Sequence, residues 1–242
     1  MKKALLFVGS KAEDSITLKI GKKIIENINQ ISNDKIDWTI YTSKDLTIKS
    51  CVSCNLCFQT GVCFQQKTDD MEVLKRKLIE SDFIILGSPV FAHNVSGDMK
   101  IFIDRISYWM HMFKLAGKKA FLFSSCGTNG MDSVTSYLNK CSTYLGLDIV
   151  GYYNAVIYDK KNINNIEFLD KELQSISRTI YREGFLKEYS KASKVQESIF
   201  LQYKNHITLM NNREKSFLYK YWKNSGMLDC ISFQEYLDKL KK

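Results

Sequence analysis

Short apolar runs alternate with amphipathic stretches from residue 3 to residue 158, the pattern of strands and helices taking turns along a chain. Four runs read as strands: KALLFVG near the start, IDWTIYTS at 36–43, DFIILGS at 82–88 and KKAFLFSS at 118–125. A fifth lies within GLDIVGYYNAVIY at 146–158. Helical periodicity fills the gaps, around 15–29, 70–80, 96–113 and 130–145. Strict alternation of this kind predicts an α/β fold built on a doubly wound, five-stranded parallel sheet.

After Tyr158 the pattern changes. DKKNINNIEFLDKEL is polar and then helical, and no strand is expected from there to Lys242. Residues 165–242 read as several amphipathic helices, among them VQESIFLQYKNHITLM, EKSFLYKYW and a closing FQEYLDKLKK. The expected division is a sheet domain over 1–160 and a helical C-terminal extension over 161–242. Phe200, Leu201, Phe217, Tyr221 and Trp222 give the extension apolar surface, to be packed on the sheet domain or on a partner subunit.

Composition narrows the class. The 242 residues are 45% apolar, enough for a sizeable core. No stretch approaches the roughly 18 apolar residues of a membrane span, and the segment after MKK is too short for a secretory signal, so the expectation is a cytoplasmic protein with reduced thiols. The net charge of +9 comes without a lysine-arginine block interleaved with aromatics, which argues against nucleic acid and fits a basic rim around an anionic cofactor.

In open α/β sheets ligands bind beyond the carboxyl ends of the strands, so the loops there carry the chemistry. GSKAEDSIT, residues 9–17, is a hydroxyl-rich turn entering a helix, suited to a phosphate through free amides and the helix dipole. Ordinary capping by Ser15 or Thr17 accounts for the same residues, and both readings stay open. Neither a Walker loop nor G-x-G-x-x-G is present. GSPVFAHNVSGDMKIFIDR, 87–105, holds the only proline, Pro89, expected to turn the backbone sharply at the strand end. SSCGTNG, 124–130, is small enough for close backbone approach to a planar ligand. Plain strand-to-helix turns are the alternative for both.

Cys51, Cys54, Cys57 and Cys63 are spaced C-x2-C-x2-C-x5-C, and Gly61 permits the turn that would bring the fourth thiol to the other three. The run is more compact than the paired C-x2-C units of zinc ribbons. An iron-sulfur cluster, a zinc site, a disulfide or an empty loop remain open on spacing alone. Asp69 and Glu72 are placed to form a capping box, Asp104 and Arg105 to form a structural pair, and Cys141 and Cys230 to be small core residues.

These segments together resemble the NAD(P)H-dependent FMN reductase group of flavodoxin-like flavoproteins. GSKAEDSIT stands where that group has its phosphate loop, with Ala12 in place of a common arginine and Lys11 the nearest cation. GSPVFAHNVSGDMKIFIDR matches its G-S-P-x-[YF] … S-G-x-x-K-x-F-x-D-R segment almost throughout, and the cysteine run resembles that of the iron-sulfur flavoproteins, in the same place after the second strand. The resemblance implies a flavodoxin-like fold binding FMN. Ser10, Ser15, Ile16 and Thr17 would hold the phosphate. Pro89, Val90, Phe91, His93 and Asn94 would border the isoalloxazine, and Ser125, Cys126 and Gly127 its other edge, although His93 reads equally as an exposed loop histidine. Cys51, Cys54, Cys57 and Cys63 would bind a [4Fe-4S] cluster. Activity would be an oxidoreductase drawing electrons from NAD(P)H or a redox protein for an unidentified acceptor, as a homodimer or homotetramer. An electron carrier without a substrate of its own, or a cofactor-free regulator, are the competing readings.

Overall fold

The computed structural model describes residues 1–157, 166–210 and 213–241. Five parallel strands form the sheet: β1 (Lys2–Val8), β2 (Ile36–Thr42), β3 (Phe83–Phe91), β5 (Lys119–Cys126) and β6 (Asp148–Val156), with the two-residue β4 (Asn94–Val95) folded back antiparallel on β3. Their order is β2-β1-β3-β5-β6, the flavodoxin-like arrangement with the chain reversing direction across the sheet at β1 and β3.

Alternation within each strand serves both faces, which is why the runs read as nearly continuous apolar text. Leu5 and Phe7 of β1 point to one layer, with Met99 and Phe102 of α4 (Gly97–Arg105), Leu74 and Leu78 of α3 (Met71–Glu80), and Val134 and Leu138 of α5 (Met131–Tyr144). Ala4, Leu6 and Val8 point to the other, with Ile20, Ile24 and Ile28 of α1 (Ile16–Ile31).

The described part of the tail is helical, as expected, and is used in two ways. Leu173 and Ile180 of α6 (Asp170–Ile180) join α1 in the second layer, so this helix completes the sheet's cover. α7 (Lys194–Leu209), α8 (Phe217–Asn224) and α9 (Phe233–Lys239) instead gather Phe200, Trp222 and Phe233 around Phe113, a third core beside the first. Trp222 Nε1 donates to the His111 carbonyl at 2.8 Å, anchoring α8 to the segment after α4. The expected boundary at 160/161 lies outside the described residues.

Four expectations are corrected. Pro89 does not turn the chain: β3 continues through it to Phe91, pairing Pro89 with Ser125. Ladder pairing with β1 has ended by then at Val8–Gly87, so a residue without an N–H is tolerated. The helix expected over 96–113 ends at Arg105 and continues as a 3₁₀ turn over Ser107–Met112. Asp69 and Glu72 form no capping box: the N-cap of α3 is Asp70, the Asp69 carboxylate accepts from Met71 N–H at 3.1 Å and pairs with Arg105, and Glu72 pairs with Lys75 at 2.7 Å. Asp104 pairs with Lys100 at 2.6 Å and not with Arg105, because i,i+4 spacing on α4 points both outward while Arg105 points in.

Candidate cofactor site and cysteine loop

Three loops meet at the carboxyl ends of β1, β3 and β5. Gly9 N–H donates to the Gly87 carbonyl at 2.9 Å, and Ser96 Oγ donates to the Gly9 carbonyl at 2.5 Å. Ser96 N–H donates to Ser88 Oγ at 3.0 Å. The Thr17 and Ser125 hydroxyls lie 2.7 Å apart in the interior, joining the start of α1 to the end of β5. Of the hydroxyls expected at a phosphate, Ser15 Oγ accepts from Leu18 N–H at 3.4 Å as a helix cap, and Ser10 Oγ accepts from Ala12 N–H at 3.3 Å. Capping and anion binding are therefore compatible: the side chains order the turn, and the α1 start at Ile16 and Thr17 presents the helix dipole. Lys11, the nearest cation, is engaged by Asp98 at 3.0 Å.

Val90 and Phe91 pair with Val95 and Asn94, leaving Ala92 and His93 as a two-residue hairpin turn. Both central residues are left-handed, φ 47° and 59°, as the turn type that matches strand twist requires. Neither is glycine, so the turn carries strain of a kind that collects at functional sites. Phe91 is 62% exposed, and His93 and Asn94 are exposed beside it. Facing this hairpin is the 126–130 loop: a Cβ on Gly130 would lie 3.0 Å from Val90 Cγ1 and 3.1 Å from His93 Nδ1. Burial pushes the Cys126 thiol up, but hydrogen bonds from the backbone and hydroxyl of Thr128 and the amides of Asn129 and Gly127 hold it below its usual range. A turn whose amides favour negative charge suits the electron-rich edge of a flavin.

The cysteine loop is closed at its base. Thr47 N–H donates to Asp70 Oδ2 at 2.8 Å and Asp70 N–H returns a bond to the Thr47 carbonyl at 3.0 Å. Lys49 N–H donates to Asp69 Oδ2 at 3.0 Å, and Arg105 Nη1 reaches both the Lys49 carbonyl, at 2.8 Å, and Asp69. Beyond this neck come a short helix α2 (Leu56–Thr60) and left-handed backbone at Ser53, Asn55 and Gly61. Phe58 packs edge-on to His111 at 5.4 Å, and α8 lays Phe217 against Gly61.

All four cysteines of the loop are free, Cys51 and Cys54 exposed, Cys57 and Cys63 half-buried. Burial pushes the Cys57 thiol up, and charge on Cys63, Cys51 and Cys54 each pushes it further, so the four sulfurs share one electrostatic neighbourhood. Among the described residues no three metal-ligating side chains converge on one ion-sized point. The buried Arg105 Nε, without a hydrogen-bond partner among the described residues, adds an unused donor behind Cys63. Sequence reasoning missed the Asp69–Arg105 lock and the Ala92–His93 turn.

Comparison with known proteins gives the family and the fold. The pattern of the NADPH-dependent FMN reductase family matches residues 2–159. An iron-sulfur flavoprotein of Archaeoglobus fulgidus is 33% identical over 186 residues, 75% of this chain and 80% of that protein. An iron-sulfur flavoprotein of Clostridioides difficile is 25% identical over 174 residues, 70% of this chain and 74% of that protein. Among solved structures, an apo NADH:FMN oxidoreductase superposes with a TM-score of 0.57 at 15% identity, over 79% of this chain and 95% of its own. An FMN-dependent NADH-azoreductase of Bacillus anthracis, in complex with FMN, gives 0.53 at 15% identity, over 76% and 100%. At such identities the structural likeness speaks for the fold. With the family pattern spanning the sheet and all three loops, the chain belongs to the NADPH-dependent FMN reductase family of flavin-dependent oxidoreductases.

Proposed function

We propose that this protein is an FMN-dependent oxidoreductase that also carries a [4Fe-4S] cluster on Cys51, Cys54, Cys57 and Cys63, and that it moves electrons between NAD(P)H or a redox protein and an acceptor. The observation that carries the flavin half is the meeting of the 9–17, 89–94 and 125–130 loops, cross-tied by Gly9–Gly87, Ser96–Gly9 and Thr17–Ser125 bonds. Ser10, Ser15, Ile16 and Thr17 would hold the phosphate; Pro89, Val90, Phe91, His93 and Asn94 would border one side of the ring and Ser125, Cys126 and Gly127 the other. Bound there, FMN supplies chemistry in one- or two-electron steps. The chain's own part is to order the phosphate turn through Ser15, to hold the hairpin rigid, and to aim the 127–129 amides at developing negative charge. The cluster half is supported by the four mutually interacting thiols and by the names of the relatives.

One feature leaves room for a donor or acceptor that is itself a protein as well as for a nicotinamide. Helices α7–α9 pack around Phe113 rather than over the hairpin, and Phe91, His93 and Asn94 stay exposed. That openness is what the electron-carrier reading needs, and it equally allows a nicotinamide to stack on the flavin. A homodimer or homotetramer belongs to the same reading: the apolar side chains Val52, Phe58, Val62 and Phe64 are exposed on the cysteine loop, and Phe168, Tyr189, Leu201 and Leu209 are exposed on the tail. No helix among the described residues is long and apolar enough to cross a membrane.

The test is anaerobic purification with FMN, iron and zinc quantified per chain, for the wild type and Cys54→Ser. Flavin with about four irons, lost in the variant while flavin stays, is the expected outcome. Zinc without iron, or flavin alone, would retire the cluster; a chain that never takes up FMN would retire the whole reading.

A further inference from the structure

A buried guanidinium stands directly behind the cysteine loop. Arg105 ends α4 with its side chain 1% exposed, opposite Asp69 at 0%. Its two terminal nitrogens are used: Nη1 on the Lys49 carbonyl and Asp69, Nη2 on Asp69 Oδ1 at 3.3 Å. Its Nε–H is wholly buried and has no partner among the described residues. A buried donor left unmade forfeits its hydration with nothing in return, so such an atom calls for an acceptor. Asp69 does not supply it, because its oxygens already accept from Arg105, from Lys49 N–H at 3.0 Å and from Met71 N–H at 3.1 Å. The Cys63 sulfur is close enough for its charge, and for a weak hydrogen bond from the guanidinium, to favour the charged arginine. As a thiol that sulfur is a poor acceptor; as a metal-bound thiolate it is a good one.

We infer that Arg105 is a positioning residue for the cluster: its Nε–H donates to the Cys63 thiolate once the cluster is bound, fixing that ligand and raising the cluster's reduction potential. This rests on the cluster reading above. The physical reason is that reduction adds negative charge, and hydrogen bonds to the ligating sulfurs together with nearby positive charge stabilise the reduced state. Asp69 works against this. Its carboxylate screens the guanidinium, so the pair sets a balance between holding the neck shut and lending charge to the sulfur. Two substitutions should then move the potential in opposite directions.

The experiment is a spectroscopically monitored redox titration of iron-loaded protein, wild type against Arg105→Lys and Asp69→Asn, with the FMN midpoint followed in the same samples as an internal reference. Arg105→Lys keeps a charge but loses the Nε–H, and should favour the oxidised cluster about tenfold, a fall of about 59 mV for one electron. Asp69→Asn should raise the cluster midpoint, and the FMN midpoint should stay put in both. An iron-loaded Arg105→Lys with the wild-type cluster midpoint overturns the inference while leaving the cluster reading intact. If Arg105→Lys keeps FMN but fails to load iron, Asp69→Asn decides: a raised midpoint supports the inference and an unchanged one overturns it. Loss of iron from both variants with FMN retained makes the pair a scaffold only and overturns it. A wild type that holds no iron removes the thiolate itself and overturns both readings together.

Discussion

Gly61 shows how much a single position can hold. Its φ of 78° is left-handed, and a Cβ there would sit 2.2 Å from the Phe217 ring, so the turn of the cysteine loop and the seating of α8 rest on one missing methyl. Gly61→Ala should cost about 2–5 kcal/mol, the sum of left-handed strain and overpacking. In a Phe217→Ala background only the strain should remain, about 1–2 kcal/mol. A double-mutant cycle by denaturant unfolding checks this; equal costs in both backgrounds would deny the contact. Residues of this kind divide by how local their causes are. Gly61 and Ser15 were legible because turns and caps are written within a few positions. Ala92 and His93 were not, since nothing in their identities asks for a left-handed pair; the pairing of Val90 with Val95 imposes it. Asp69 and Arg105 are 36 residues apart, and only the fold brings them together.

Among elements, the five parallel strands and their crossover helices could be read directly, because strands covered on both faces leave unbroken apolar runs bounded by polar turns. The two-residue β4 is below any periodicity. The tail's helices were visible but their destination was not: α6 and α7 look alike as text, yet one covers the sheet and the others surround Phe113. Trp222 is wholly buried at the centre of that third core, stacked on Phe200 at 5.1 Å. Trp222→Ala should remove about 3–5 kcal/mol from the α7–α9 unit. Flavin affinity should be little changed, since no residue of the hairpin or the phosphate turn touches it. Flavin titration alongside urea unfolding separates the two; a large loss of flavin affinity would place the tail in the cofactor site after all.

At the scale of the molecule, the third core also confers a pH dependence. His111 stacks on Tyr203 at 5.1 Å, and burial first, then charge on His206, holds its imidazole below the ordinary 6.5. The unfolded chain therefore binds a proton that the folded chain refuses, and stability rises with pH across that window. Full stability is expected above pH 6.5, declining as pH falls below it toward the lowered folded value. Thermal melts followed by tryptophan fluorescence from pH 8 to pH 5 should show the decline, and His111→Gln should flatten it; an unflattened curve would assign the effect to another group.

The neck of the cysteine loop has an architectural meaning as well. Because Thr47 and Asp70 are bonded backbone to backbone and Lys49 meets Asp69, the chain leaves the sheet domain and returns to it at the same place. Residues 50–68 lie beyond that point, packed on His111 through Phe58 and on α8 through Gly61. Their removal and replacement by a short turn would leave the lock of Lys49, Asp69 and Arg105 in place, and the strands would not register the change. A change of length beyond this neck is therefore felt first by α8 and the 107–112 turn, which the loop packs against, and last by the strands.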